Sequence, residues 1–130
     1  MVIDTSAVVA ILAGEPDAGR LEAALDQDPL RLMSAATLVE CAFVLEGRQG
    51  AAGRHALDEF VSNLAVEIVA LDAGHAELAR EAFRRYGKGR HPAGLNYGDV
   101  FAYSLAKARG EPLLFSGNDF ARTDVASAVE

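Results

Sequence analysis

The sequence predicts an α/β domain with a mostly parallel central sheet flanked by helices. Three observations lead there. Four short aliphatic runs, MVI, LRLM, VEIVAL and PLLF, are separated by longer stretches of helical periodicity. Strands alternating with helices return in parallel by crossover connections, which makes a layered sheet with helices on its faces. The chain has 130 residues, the size of one domain, and 51% of them are hydrophobic, which supports one packed core and argues against disorder.

Residues 1–4, MVID, read as a short buried strand ending on an acid. A helix follows from about Ser6 and is broken at Gly14–Pro16. Pro16 suits the first turn of a second helix, which runs to about Asp26. LRLM (30–33) is a short strand, and SAATLVECAFVLEGRQG reads as a helix capped by Ser34 and stopped near Gly47 or Gly50. Residues 51–63 form another amphipathic helix, with Ala52, His55, Ala56, Phe60 and Asn63 on adjacent turns. VEIVAL (66–71) is a β-branched strand. Asp72 caps a helix that reaches about Tyr86, and GKGRHPAG is a glycine-rich basic loop. Asn96 opens a helix ending at Gly110, with Tyr97, Val100, Phe101, Ser104, Leu105 and Ala108 as its inward stripe. PLLF (112–115) is the last clear strand, followed by an acidic turn and a short strand around Thr123–Ala126. No repeat, low-complexity tract or linker divides the chain, so residues 1–130 are expected to form a single domain.

Composition narrows the function. No apolar run reaches the roughly 18 residues of a membrane span. The start, MVIDTSAVVAILAGEPD, has acids and no Lys or Arg, which does not fit a secretory signal, and a cytoplasmic protein is expected. Cys41 is the only cysteine, so an internal disulfide is impossible, and its apolar helical setting predicts a buried, inert thiol. The net charge of −7 runs against an ordinary nucleic-acid-binding face. That objection weakens if several acids converge on a divalent cation, because the cation then attracts phosphate.

Four acids lie on separate predicted elements. Asp4 ends the first strand and can cap the following helix, a role adjacent Thr5 can also take. Glu40 sits among Leu38, Val39, Ala42 and Phe43, where an unpaired buried carboxylate would cost several kcal/mol; it must be exposed, paired or metal-bound. Asp99 is spaced to close a capping box with Asn96, and Asp119 repeats that spacing from Ser116. Capping and chemistry are compatible, since a helix N-terminus holds a carboxylate ionised and oriented. Such acids suit Mg²⁺, which takes a few carboxylates plus waters. His55, His75 and His91 are scattered, the first two expected on helix surfaces, and no zinc spacing exists.

With these residues in view, the chain resembles the PIN-domain family, and within it VapC-type toxins of type II toxin–antitoxin pairs. MVIDTSAVVAIL resembles the family's opening strand and helix, and SAATLVECAFVL its second motif. YGKGRHPAGLNYGDVFAYSLAKARGEPLLFSGNDFARTD resembles a long segment typical of VapC toxins, so the similarity covers nearly the whole chain. The resemblance implies an endoribonuclease dependent on Mg²⁺ or Mn²⁺, cutting RNA by in-line attack of a metal-activated water. It implies a metal site of Asp4, Glu40, Asp99 and Asp119, with Asp124 as a second candidate for the fourth acid. Ser6 matches the polar position after the first acid, Ser116 matches more loosely, and Asn96 and Asn118 are supporting candidates. It further implies a cognate antitoxin and a homodimer as partners.

Arg84, Arg85, Lys88, Arg90 and His91 form the densest basic cluster in this acidic chain. The cluster reads either as an RNA-backbone clamp, with Tyr86 and Tyr97 able to stack on a base, or as a solvated helix end that complements the helix dipole. Two other enzyme classes fail on motif. A haloacid-dehalogenase-type phosphatase needs a second Asp where Ser6 stands, and a receiver domain needs a late-strand Lys, whereas Lys88 and Lys107 are both off the strands. The remaining alternative is a PIN module that binds RNA or protein without catalysis.

Overall fold

The computed structural model describes residues 1–129. Strand β1 (Val2–Ile3) runs directly into helix α1 (Thr5–Ala13), and α2 (Ala18–Gln27) leads to β2 (Leu32–Ser34). Helices α3 (Ala35–Gln49) and α4 (Ala51–Asn63) follow, turning on Gly50, before β3 (Glu67–Val69). Helices α5 (Ala73–Tyr86) and α6 (Asp99–Arg109), strand β4 (Leu113–Leu114) and a 3-10 turn at Phe120–Arg122 complete the order. All four strands are parallel, in the order β3-β2-β1-β4, with Val2 beside both Leu32 and Leu113.

Strand alternation divides the core. Ile3, Met33 and Leu114 face a layer that includes Val8, Leu21, Leu25, Cys41, Leu57 and Phe60, from α1 to α4. Val2, Leu32 and Leu113 face the opposite layer, with Ala82, Tyr86, Val100 and Leu105 from α5 and α6. The predicted α/β architecture and its parallel sheet are therefore present. Because every strand runs the same way, their C-terminal ends share one edge, and the chain's direction across the sheet switches between β1 and β4. Ligands of open α/β sheets bind in that crevice.

Several boundaries and faces differ from the sequence reading. Pro16 lies before α2 instead of in its first turn. Left-handed Gly14 (φ 65°) ends α1, and Glu15–Ala18 then closes a turn through Ala18 N–H to Glu15 C=O at 2.9 Å, with proline second in the turn. Strand β2 starts at Leu32, two residues after Leu30; just before it, the Arg31 guanidinium donates to the Leu25 and Leu64 carbonyls while the Arg31 carbonyl accepts from Glu67 N–H at 2.8 Å. Ser34 ends that strand and caps α3, accepting from Ala36 N–H at 3.3 Å. Helix α4 buries Gly53, Leu57 and Phe60, while Ala52, His55 and Asn63 are exposed. The reason is close approach: a Cβ at Gly53 would overlap the Leu45 carbonyl of α3. Helix α6 lies between the sheet and α5, so Ala102, Tyr103 and Ala106 join its buried set, while Tyr97 and Ala108 at the ends are exposed. His75 is buried instead of surface-exposed. In place of a strand at 123–126, Leu113 makes one parallel bridge to Ser127. Among the described residues no helix is long and apolar enough to cross a membrane.

Candidate active site

The switch-point edge is built from Asp4. Its backbone N–H donates to the Leu114 carbonyl at 3.0 Å, which fixes it beside β4. Its side chain caps α1, with Oδ2 accepting from Ser6 N–H at 2.9 Å and from the Ser6 hydroxyl at 2.7 Å. Oδ1 is buried and has no hydrogen-bond partner. One oxygen therefore holds the helix while the other is free for chemistry. Burial pushes this carboxyl up to about 7 from an ordinary 3.8, with Asp99 and Glu40 adding repulsion and the Ser6 hydrogen bonds opposing both.

Ser6 carries more than the cap. Its hydroxyl oxygen also accepts from Ser116 N–H at 3.0 Å, and the Ser116 hydroxyl donates to Asp17 Oδ2 at 2.6 Å. The end of β1, the segment after β4 and the start of α2 are thereby tied together. Thr5 does not compete for the cap; its hydroxyl donates to Glu40 Oε1. Cys41, beside Glu40, is buried and contacts Thr5 Oγ1 at 3.6 Å, and burial pushes its thiol up to about 12. It is inert, as expected.

Asp99 enters from the opposite side. Asn96 N–H donates to Asp99 Oδ2 and Asp99 N–H donates to Asn96 Oδ1, both at 2.9 Å, a reciprocal box that closes the turn into α6. Burial pushes the Asp99 carboxyl up to about 6, with Asp119 and Glu40 adding to the rise and the Asn96 N–H pulling it down. Asp4, Glu40 and Asp99 line one cleft of about 340 Å³, with Ser6, Asn96 and Ser116 also on its walls. Asp119 is exposed outside that wall, yet near enough to Asp99 to repel it. Asn118 is exposed, and its carbonyl accepts from Ala121 N–H at 3.2 Å. Asp124 is engaged elsewhere, accepting from the Tyr103 hydroxyl at 2.5 Å and Lys107 at 3.1 Å.

The cleft also contains residues not expected from the sequence, among them Glu15 and Arg48. Arg48 was legible in principle, since Glu40, Val44 and Arg48 repeat every four residues along one face of α3. The basic cluster lies off the cleft wall. Arg84 and Lys88 are exposed, whereas Arg85 reaches the Tyr86 hydroxyl at 2.9 Å and Asp124 at 3.8 Å, and Arg90 lies over the Phe83 ring. Tyr86 is 8% exposed within the core, so it cannot stack on a base; Tyr97, at 81%, can.

Among the described residues, no three His, Cys, Asp or Glu side chains are arranged to hold an ion by themselves. The donor chemistry nevertheless fits a magnesium-like ion, which needs one or two protein carboxylates and keeps several waters. The orphaned Asp4 Oδ1 is the specific observation, because a buried carboxylate oxygen without a partner is costly until a cation or proton reaches it.

A parallel sheet with carboxylates gathered at its switch point defines an α/β domain with an acidic cleft. The chain belongs to the PIN domain family, whose model matches residues 1–126. Ribonuclease VapC30 of Mycobacterium tuberculosis is 57% identical over 129 residues, covering 99% of this chain and 98% of the relative. Two solved structures share the fold. Mycobacterium tuberculosis VapC20, described as a sarcin-ricin loop cleaving toxin, superposes with a TM-score of 0.77 at 20% identity, covering 99% of this chain and 98% of that one. VapBC2 from Rickettsia felis, bound to a promoter DNA fragment, gives 0.72 at 18% identity, covering 97% and 94%.

Proposed function

We propose that this chain is a cytoplasmic endoribonuclease dependent on Mg²⁺ or Mn²⁺, the toxin of a toxin–antitoxin pair. The observation that carries the reading is the buried, unpartnered Asp4 Oδ1 in a cleft shared with Glu40 and Asp99. The VapC ribonucleases among its relatives, similar over nearly the full length, support the same activity. When bound, the cation lowers the pKa of water and offsets charge building on the phosphodiester. Asp4 and Asp99 would hold it. Ser6 keeps Asp4 Oδ2 occupied, which leaves Oδ1 as the oxygen that would be offered to a cation. Glu40, steadied by the Thr5 hydroxyl, stands beside them to orient water, and Asp119 adds negative charge at the rim. Asn96 and Ser116 support the acids, Asn118 flanks Asp119, and Arg48 offers the wall's guanidinium to a phosphate oxygen. An apolar groove of about 410 Å³ between α1, α2 and α4, lined by Ile11, Leu12, Leu25, Phe60 and Leu64, suits a segment of a small antitoxin. A second copy of the chain is the other proposed partner.

The test is cleavage of labelled structured RNAs by purified, antitoxin-free chain with Mg²⁺, with Mn²⁺ and with chelator. Metal-dependent internal cleavage is expected. A well-folded chain that binds these RNAs but cuts none across a broad panel would instead be a non-catalytic binding module.

Arg84, Lys88 and Arg90, with Arg85 partly engaged by Asp124, form the proposed RNA-backbone clamp. Replacing Arg84 and Lys88 together with Ala should reduce the slope of log affinity against log salt by roughly 1.4, about 0.7 per lost single-strand phosphate contact. An unchanged slope would leave these side chains as a solvated helix end.

A further inference from the structure

We propose that Gly98 is a positioning residue whose bare Cα seats the Glu40 carboxylate and so sets where that acid stands relative to Asp99. The inference rests on the reading that Asp4 and Asp99 hold a cation, with Glu40 beside them to orient its water. A Cβ placed at Gly98 would lie 2.6 Å from Glu40 Oε1 and closer still to the carboxyl carbon and Oε2, far inside van der Waals contact. The backbone there is ordinary, φ −70° and ψ −38°, which any L-residue adopts. Glycine is therefore needed for space, not for conformation.

The seat is rigid on both sides. The Asn96–Asp99 box closes the turn around Gly98, so the backbone cannot easily retreat. From the other side the Thr5 hydroxyl holds Glu40 Oε1. The carboxylate is clamped between a hydroxyl on α1 and a Cα in the turn that also carries Asp99. One four-residue turn thus places one acid directly and a second by leaving room for it. A methyl group at 98 must displace the end of the Glu40 side chain, because that flexible end yields more easily than the boxed backbone.

The test uses Gly98→Ala, Glu40→Asp and the double variant, with Mn²⁺ binding measured by calorimetric titration and melting measured without metal. Gly98→Ala should keep a cooperative metal-free transition and lose about 10–100-fold in Mn²⁺ affinity. In the double variant the shorter acid draws the carboxylate back by one methylene, so affinity should recover part of the loss although Glu40→Asp alone weakens binding. A Gly98→Ala chain that binds like the parent, or a double variant in which the two losses simply add, would overturn the proposal. A crystal structure of metal-free Gly98→Ala separates this inference from the metal reading. If the parent shows no Mn²⁺ binding sensitive to Asp4→Asn, the metal reading fails. The seat itself then stands only if Glu40 has left Thr5, and falls if the carboxylate has not moved.

Discussion

Asp4→Asn should abolish RNA cleavage and, in the same protein, raise the melting temperature at pH 7 in metal-free buffer. The two effects share one cause. Asn keeps the acceptor that caps α1, so the Ser6 hydrogen bonds survive. What disappears is a buried charge. The folded-state pKa of Asp4, about 7, lies above the ordinary 3.8. Between pH 4 and 7 the folded chain therefore holds a proton that the unfolded chain has released. Stability from this group is fully present below about pH 4 and declines as pH rises to 7, by as much as ~4 kcal/mol at 1.36 kcal/mol per pKa unit. Removing the charge should return on the order of 2 kcal/mol after the amide's own burial is counted, which is several degrees of Tm in a domain of this size. Activity should fall ~10³-fold or more, because the cation's transition-state stabilisation is worth several kcal/mol. Added Mn²⁺ should raise the Tm of the parent far more than that of the variant. A variant that cleaves normally would place the metal elsewhere, and one that melts lower at pH 7 would show that Asp4 is not a burden to the fold.

Affinity for Mn²⁺ should collapse on acidification. The cation needs ionised carboxylates, and Asp4 and Asp99 hold their protons up to about 7 and about 6. Between pH 7 and pH 5 both become mostly protonated, so the fraction of chains with the two charges ready falls by roughly two to three orders of magnitude, at tenfold per unit for each group. Titration at pH 5, 6, 7 and 8 should give a log affinity that climbs steeply and flattens above 7. A site formed by exposed carboxylates of ordinary pKa would be flat across this range, and that result would remove Asp4 and Asp99 from it.

The strands and helices were legible because hydrophobic periodicity is local: all four aliphatic runs became strands and every predicted helix formed. Faces were less legible, because a stripe of apolar residues does not say how many neighbours a helix has. Helix α6 touches both the sheet and α5, so Tyr103 and Ala106 are buried outside the stripe that periodicity selected. The two closest backbone approaches, at Gly53 and Gly98, were invisible, since the side chain or carbonyl that needs the space comes from another element. The acids stood out as residues in strand-end and capping contexts. Their convergence came from the parallel topology, which brings Asp4, Glu40 and Asp99 to one cleft from β1, α3 and α6. Asp4 showed why capping did not exclude a further role in the sequence: one oxygen caps α1 while the other is left without a partner.

The order of the strands also governs when the cleft can exist during synthesis. Strand β1 is made first, yet its partner β4 lies more than a hundred residues later, with Val2 beside Leu113 and Asp4 N–H bonded to Leu114. Asp99 and the Ser116 N–H that braces Ser6 also arrive late. A growing chain therefore carries Asp4 for most of its synthesis without the strand that sets it, and Glu40 lacks the turn that seats it until Gly98 has been made. Pairing over so long a loop is slow as well as late. A cleft assembled this way stays incomplete on the ribosome until nearly the whole protein has emerged.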